Sequence, residues 1–192
     1  MIFLIIGLTG KNCAGKGTVA EYLVRKGFVY YSLSDIIREE LTKMGKEHSR
    51  GNMINSGNEL RKEFGPGVLA IKTNEKIKNK NQNFAIDSIR SPFEVKELRK
   101  NKGFFLVNVD APLEIRFKRM LARNRAGDAK NIEELKIQEA EENKKLSTNQ
   151  QVDKTIKMAN SIIVNDSSFE ELYKKIEKFL ESKSKRGQKY KQ

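Results

Sequence analysis

The stretch Gly10-Lys11-Asn12-Cys13-Ala14-Gly15-Lys16-Gly17-Thr18 follows the apolar run Ile2 to Leu8, and its reading decides the fold. The run is nearly all apolar, as expected of a strand buried on both faces of a parallel sheet. The backbone then turns on glycines, and a helix begins near Lys16. Unpaired amides and the positive end of a helix at such a turn cradle a polyphosphate. Gly10 and Gly15 let the main chain approach closely, Asn12, Cys13 and Ala14 complete the loop, and Lys16 can reach the β- and γ-phosphates. The common pattern is G-x-x-x-x-G-K-[ST]. Here Gly17 stands where the magnesium-binding hydroxyl belongs, and Thr18 comes one residue late.

At 192 residues with 38% hydrophobic side chains, the chain suits one domain with one sizeable core. Three prolines and no long Gly/Ser tract argue against a linker between two folded units. Met1 to Leu8 is too short for a membrane span and lacks the flank of a signal peptide. A single cysteine, Cys13, cannot form an internal disulfide, which fits a reducing cytoplasm. The net charge is +13; the five cations of Ser182 to Gln192, with no acid among them, leave +8 on the rest. A basic body suits anionic substrates such as nucleotides, and the tail 182–192 is expected to be solvated and disordered.

Outward from the loop, the pattern is α/β. The first helix is expected to bury Val19, Tyr22 and Leu23 and to close at Gly27. Phe28 to Tyr31 reads as a second strand, and Ser34-Asp35-Ile36-Ile37-Arg38 starts a helix behind it. Asp35 has two readings that stay open: a residue of a capping-box-like start, or a carboxylate at the ligand-binding end of a strand. Gly51 to Asn79 reads as helices broken at Gly65-Pro66-Gly67. Phe84-Ala85-Ile86-Asp87 is a third buried strand closing on a carboxylate, and Ser91-Pro92 supplies cap and first turn of the next helix. That leaves Asp87 free to orient magnesium or its water. Phe104 to Val109 is the fourth strand. The helix after it puts Leu113, Phe117 and Leu121 towards the core, with Arg116, Arg119 and Arg123 on another face and Arg125 just beyond. Asp128 to Leu146 is charged and helical, Ser161 to Val164 is a short fifth strand, and an amphipathic helix with Phe169, Leu172, Tyr173, Ile176 and Phe179 on its apolar face closes the domain. His48 has no metal-ligand partner in the pattern.

Gly15-Lys16-Gly17-Thr18 after a glycine-rich turn resembles adenylate kinase and its nucleoside-monophosphate-kinase relatives. Further matching points are Ser32-Leu33-Ser34-Asp35-Ile36-Ile37-Arg38-Glu39-Glu40, Gly57-Asn58-Glu59-Leu60-Arg61, Asp87-Ser88-Ile89-Arg90-Ser91-Pro92 and Val109-Asp110-Ala111-Pro112. Together these runs are similar to archaeal adenylate-kinase-like and dephospho-CoA-kinase-like P-loop proteins, and to the kinase-like domain fused to some dCMP deaminases, over residues 1–181. The resemblance implies a three-layer αβα domain with a five-stranded parallel sheet, an acceptor-side insertion at about 36–80 and a lid at about 124–150. It implies ATP and Mg2+, the metal held largely through water and phosphates near Asp87 and Thr18. It also implies acceptor binding by Arg38 and Arg90, with Arg61 as a second acceptor-phosphate ligand or an exposed helix arginine. Asp35 would bind the acceptor or act as base towards a hydroxyl, Arg119, Arg123 and Arg125 would serve the lid, and the loop around Asp166 would meet the adenine. No His/Cys/Cys zinc signature of a deaminase occurs.

The activity these features imply is transfer of the γ-phosphoryl of ATP to a nucleoside monophosphate or to dephospho-CoA, with Lys16, Asp87, Arg90, Arg123 and Asp35 as the catalytic candidates. Two other classes use the same pocket: a nucleotide-binding regulator with little or no transfer, and a kinase acting on a nucleic-acid hydroxyl. The positive charge encourages the last, but there is no interleaved aromatic platform for stacking bases. A GTPase lacks support, because no Asn/Thr-Lys-x-Asp motif follows the fourth strand. The partner expected is a small-molecule nucleotide.

Overall fold

The computed structural model describes residues 3–78, 81–143 and 150–189, with side chains through Lys183. Five strands form one parallel sheet in the order β2-β3-β1-β4-β5, where β1 is Ile5–Thr9, β2 Val29–Ser32, β3 Phe84–Asp87, β4 Phe104–Asp110 and β5 Ser161–Val164. β1 is central, pairing with β3 on one side and β4 on the other, so its carboxyl end opens in the middle of the sheet. That is where ligands bind in open α/β sheets.

Alternation along β1 explains the two-sided burial. Ile6 and Leu8 face a core shared with α1 (Lys16–Arg25) and α9 (Phe169–Lys189), where they meet Val19, Leu23, Leu172 and Ile176. Ile5 faces the other core, built with α2 (Leu33–Lys43), α3 (Arg50–Phe64), α4 (Val68–Ile77) and α5 (Pro92–Leu98). Helices thus cover both faces, the three-layer αβα arrangement expected of the sequence. The break between α3 and α4 falls at Gly65-Pro66-Gly67, as the composition requires. Between β4 and β5 the chain forms α6 (Leu113–Arg123), α7 (Ile132–Glu142) and the short α8 (Val152–Ile156).

Several expectations are corrected. On α6 the buried residues are Arg116 and Met120, while Leu121 is 51% exposed. Leu113 and Phe117 pack against the small core around Met120, as expected, whereas Leu121 turns outward and the Arg116 guanidinium goes inward to Glu139. Phe169 is likewise exposed at 62%, since it sits at the first turn of α9, past the edge of the sheet. On α1 Ala20 joins Val19 and Leu23 in the core, and Tyr22 packs against it partly buried, stacked on Tyr173 with ring centres 4.3 Å apart. The tail expected to be disordered continues α9 as helix to Lys189. Extending an established helix costs far less than starting one, and Lys, Arg and Gln are good helix formers. Residues 144–149, within the expected lid, 79–80 at the end of the expected insertion, and 190–192 lie outside the described residues.

Candidate active site

The phosphate loop is shaped by backbone that only glycine adopts cheaply. Gly10 has φ +136°, and a Cβ there would stand 2.1 Å from the carbonyl oxygen of Val109. Gly15 has φ +99°, and a Cβ there would meet Asn165 Nδ2 at 2.0 Å. Cys13 also takes a positive φ of 59°. Gly17 differs: a Cβ would meet nothing within 4 Å, so no crowding requires glycine at that position. α1 starts at Lys16 with no side-chain cap and no acid in its first turn, leaving its amides and positive end for an anion.

Lys16 folds back over the loop. Its ammonium donates to the carbonyls of Gly10 at 2.9 Å and Lys11 at 3.0 Å. Burial pulls its pKa down to about 8, Arg90 adds to the fall, and Asp87 acts against it. The Cys13 thiol is pushed up by burial, with Arg123 opposing, so it is a turn residue held as the thiol. Thr18 is half-buried on the first turn of α1, one residue beyond Gly17.

Asp87 ends β3 in register with Ser32 on β2, and its carboxylate accepts the amide of Ser88. Ser88 carries a positive φ of 63°, and its hydroxyl accepts from Ser32 Oγ at 3.1 Å. This turn aims Arg90 at the loop: Arg90 Nη2 donates to Asn12 Oδ1 at 3.3 Å, and Nη1 donates to Gln150 at 3.0 Å and Glu142 at 3.4 Å. The carboxylate at the end of a buried strand and the arginine three residues on are therefore brought to the loop together.

Beside them lies a cleft of about 630 Å³ between α2, α3 and the segment 123–128. Six arginines line it, Arg38, Arg50, Arg61, Arg90, Arg123 and Arg125, against two carboxylates, Asp128 and Glu142. Ile37, Met53, Ile54 and Leu69 supply an apolar wall. Such a volume suits a small organic molecule, and such a charge balance suits a polyanion.

A family model described as an AAA domain matches residues 6–146. UPF0200 proteins from Pyrococcus abyssi and Sulfurisphaera tokodaii are 34% and 32% identical to this chain, over 91% and 92% of it and 94% and 95% of their own lengths. The chain belongs to the UPF0200 family. Among solved structures, TT1252 from Thermus thermophilus superposes with a TM-score of 0.62 at 22% identity, covering 95% of this chain and 98% of its own. Shikimate kinase from Aquifex aeolicus gives 0.53 at 19% identity, covering 94% and 98%. These neighbours establish the fold of this UPF0200 protein as that of the P-loop kinases.

The expected site residues separate into those the fold gathers and those it spends elsewhere. Arg38, Arg90, Arg123 and Arg125 all line the cleft with Asn12. Arg123 makes a two-pronged contact with Asp128, at 3.0 and 2.6 Å. Asp35 is half-buried, and its carboxylate is paired with Arg38 one helical turn away. Arg61 is buried and donates to Glu94 Oε1 at 2.9 Å, while Glu94 Oε2 accepts the amides of Arg90 at 2.8 Å and Ser91 at 3.0 Å. Arg61 thereby fixes the backbone of Arg90 from behind, while still touching the cleft wall. Arg119 leaves the cleft side and donates to Ala14 and Asn165 beside Gly15. The Asp166 carboxylate is held by Lys175 at 2.9 Å; its neighbour Asn165 is the residue that reaches the loop, donating to the Ala14 carbonyl at 3.0 Å.

Four further residues of this UPF0200 site were missed from sequence: Glu94, Glu139, Glu142 and Arg50. Glu94 had a legible signal, Ser91-Pro92-Phe93-Glu94, which is a capping box and is formed as one. Glu139 and Glu142 belong to α7, whose eleven residues hold five acids and one lysine. An acid-rich helix following an arginine-rich one signals pairing between them. Glu139 takes Arg116, buried with it, and Lys11 of the loop at 3.3 Å. Arg116 also donates to the Asn12 carbonyl at 3.3 Å, so α6, α7 and the phosphate loop are tied in one network.

Proposed function

We propose that the protein transfers the γ-phosphoryl group of ATP to a nucleotide or nucleotide-like small molecule, a nucleoside monophosphate or dephospho-CoA. The observation that carries this reading is the bond from Arg90 to Asn12: the arginine-lined cleft is joined directly to the phosphate loop. A neutral acceptor needs no such lining, whereas a phosphorylated one needs guanidiniums that take its oxygens two at a time.

In this reading the amides at the start of α1 and Lys16 hold the donor phosphates, and Arg119 with Asn165 braces the loop from the nucleotide side. Arg38 and Arg90 orient the acceptor, and Arg123 and Arg125 lie where charge spreads over the transferred oxygens. An acceptor oxygen forms its bond to the γ-phosphorus as the bond to the β–γ bridging oxygen breaks, and ADP leaves. Asp87 and Thr18 fit a magnesium ion held mainly through phosphate and water; when bound, the ion neutralises the developing charge. Among the described residues no three His, Cys, Asp or Glu side chains cluster as a self-sufficient metal site. Closure over the cleft keeps water from the γ-phosphate.

The test is ADP release in a coupled assay with ATP and Mg2+, across nucleoside monophosphates and dephospho-CoA. Acceptor-stimulated release supports the reading. Calorimetric binding of ATP with no stimulation by any acceptor overturns it in favour of a nucleotide-binding regulator.

A further inference from the structure

Glu142, the last residue of α7, brings one carboxylate against three separate elements. It accepts from Arg50 Nη2 at 3.0 Å, Arg90 Nη1 at 3.4 Å and Asn12 Nδ2 at 3.3 Å. These donors come from the first turn of α3, the turn after β3 and the phosphate loop. Two guanidiniums and an amide converging on one pair of oxygens also match a phosphate monoester, which carries more charge and one more oxygen. The other carboxylate of the cleft, Asp128, has its own partner in Arg123. Among the described residues the cations that meet Glu142 are Arg50 and Arg90, and both face the cleft.

α7 does not depend on that contact. One turn earlier Glu139 pins the helix to Arg116 and Lys11, so the Glu142 side chain can leave its donors while α7 stays seated. We propose that Glu142 competes with the phosphate of the acceptor for Arg50 and Arg90, and that Arg50 is an acceptor-phosphate ligand of the site. The proposal rests on the phosphotransferase reading above. It gives α3 a direct part in acceptor recognition and makes Glu142 a threshold: an acceptor without a phosphate to offer does not displace it.

The test titrates AMP and dephospho-CoA into wild type, Glu142→Gln and Arg50→Ala, each saturated with Mg2+ and a non-hydrolysable ATP analogue so that the phosphate loop is filled. Removing the competing charge is expected to tighten at least one acceptor probe about tenfold in Glu142→Gln. Arg50→Ala should weaken it by a similar factor, and the gain from Glu142→Gln should shrink when both changes are combined. Unchanged or weaker binding in Glu142→Gln, no detectable acceptor binding in that variant, or no loss in Arg50→Ala overturns the proposal. Binding of the ATP analogue, measured first, tests the underlying reading separately: its failure removes the kinase assignment, whereas success followed by a flat Glu142→Gln result removes this inference alone. Should Glu142→Gln not fold by circular dichroism, Arg50→Ala, at the first residue of α3, decides.

Discussion

On the proposed donor side of the cleft, Lys16 reaches carbonyls five and six residues away, and the loop is shaped by the glycines within it. On the proposed acceptor side, the Glu142 carboxylate reaches Asn12 across 130 residues, Arg50 across 92 and Arg90 across 52. The first half is made by backbone conformation, the second by side chains that meet only because the sheet delivers their elements to one edge. A local device tolerates distant change and fails at a single internal position; a long-range device fails wherever one of its supports is removed.

The sharpest break is Lys16→Ala. If Lys16 holds the donor phosphates as proposed, turnover should fall about a thousandfold, the scale of losing one preorganised charge from a transition state. The fold should persist, because among the described residues the Lys16 ammonium bonds two carbonyls of its own loop. Steady-state rates with a denaturation curve on the same material check both halves, and equal turnover would remove the role given to Lys16.

On the far side of the comparison stands Arg116, buried at 4% exposure against Glu139 at 8%. Removing one member of a buried ion pair leaves the other charge unpaired, at a cost of about 3–5 kcal/mol. Arg116→Met should therefore lower the urea midpoint severely, although the residue contacts neither proposed substrate. Replacing both partners together, Arg116→Met with Glu139→Leu, should recover much of the loss. A shift below about 1 kcal/mol in the single variant would mean the network between α6, α7 and the loop is not a support.

The same contrast explains what could be read in advance. β1 at Ile5–Thr9 overlaps its expected run, and the loop, the strand end at Asp87 and the break at Gly65-Pro66-Gly67 stand where the pattern places them and follow from residues adjacent in sequence. The inward turn of Arg116 does not, because its reason lies 23 residues on in Glu139, and a helix read alone assigns its charges to solvent. Asp166 and Asn165 make the same point at one-residue resolution. The register of β5 decides which of the two meets Ala14 and which meets Lys175.

A gentler probe of the donor side is pH. With the Lys16 pKa lowered to about 8, the lysine is charged below that value and neutral above it. ATP phosphates favour the charged form and raise the pKa on binding. Binding at pH above 8 should therefore take up a proton, and affinity should fall about tenfold per pH unit there while staying level below. Calorimetry in two buffers of different ionisation enthalpy measures the uptake; none at pH above 8 would mean the bound phosphates do not act on this ammonium.

The smallest effect is expected at Gly17, and it separates the loop from the common pattern most directly. Nothing within 4 Å opposes a side chain there, so Gly17→Ser should fold as well as the parent or slightly better, by up to about 0.5 kcal/mol, since glycine is the poorer helix residue. The new hydroxyl sits where the standard loop offers one to magnesium. If the metal is carried by phosphate and water beside Asp87, the Mg2+ dependence of turnover should move by less than about threefold, half a pH unit's worth of free energy. A tenfold or larger tightening would show that a direct hydroxyl ligand was the missing part of the site, and would shift the metal from Asp87 towards the first turn of α1.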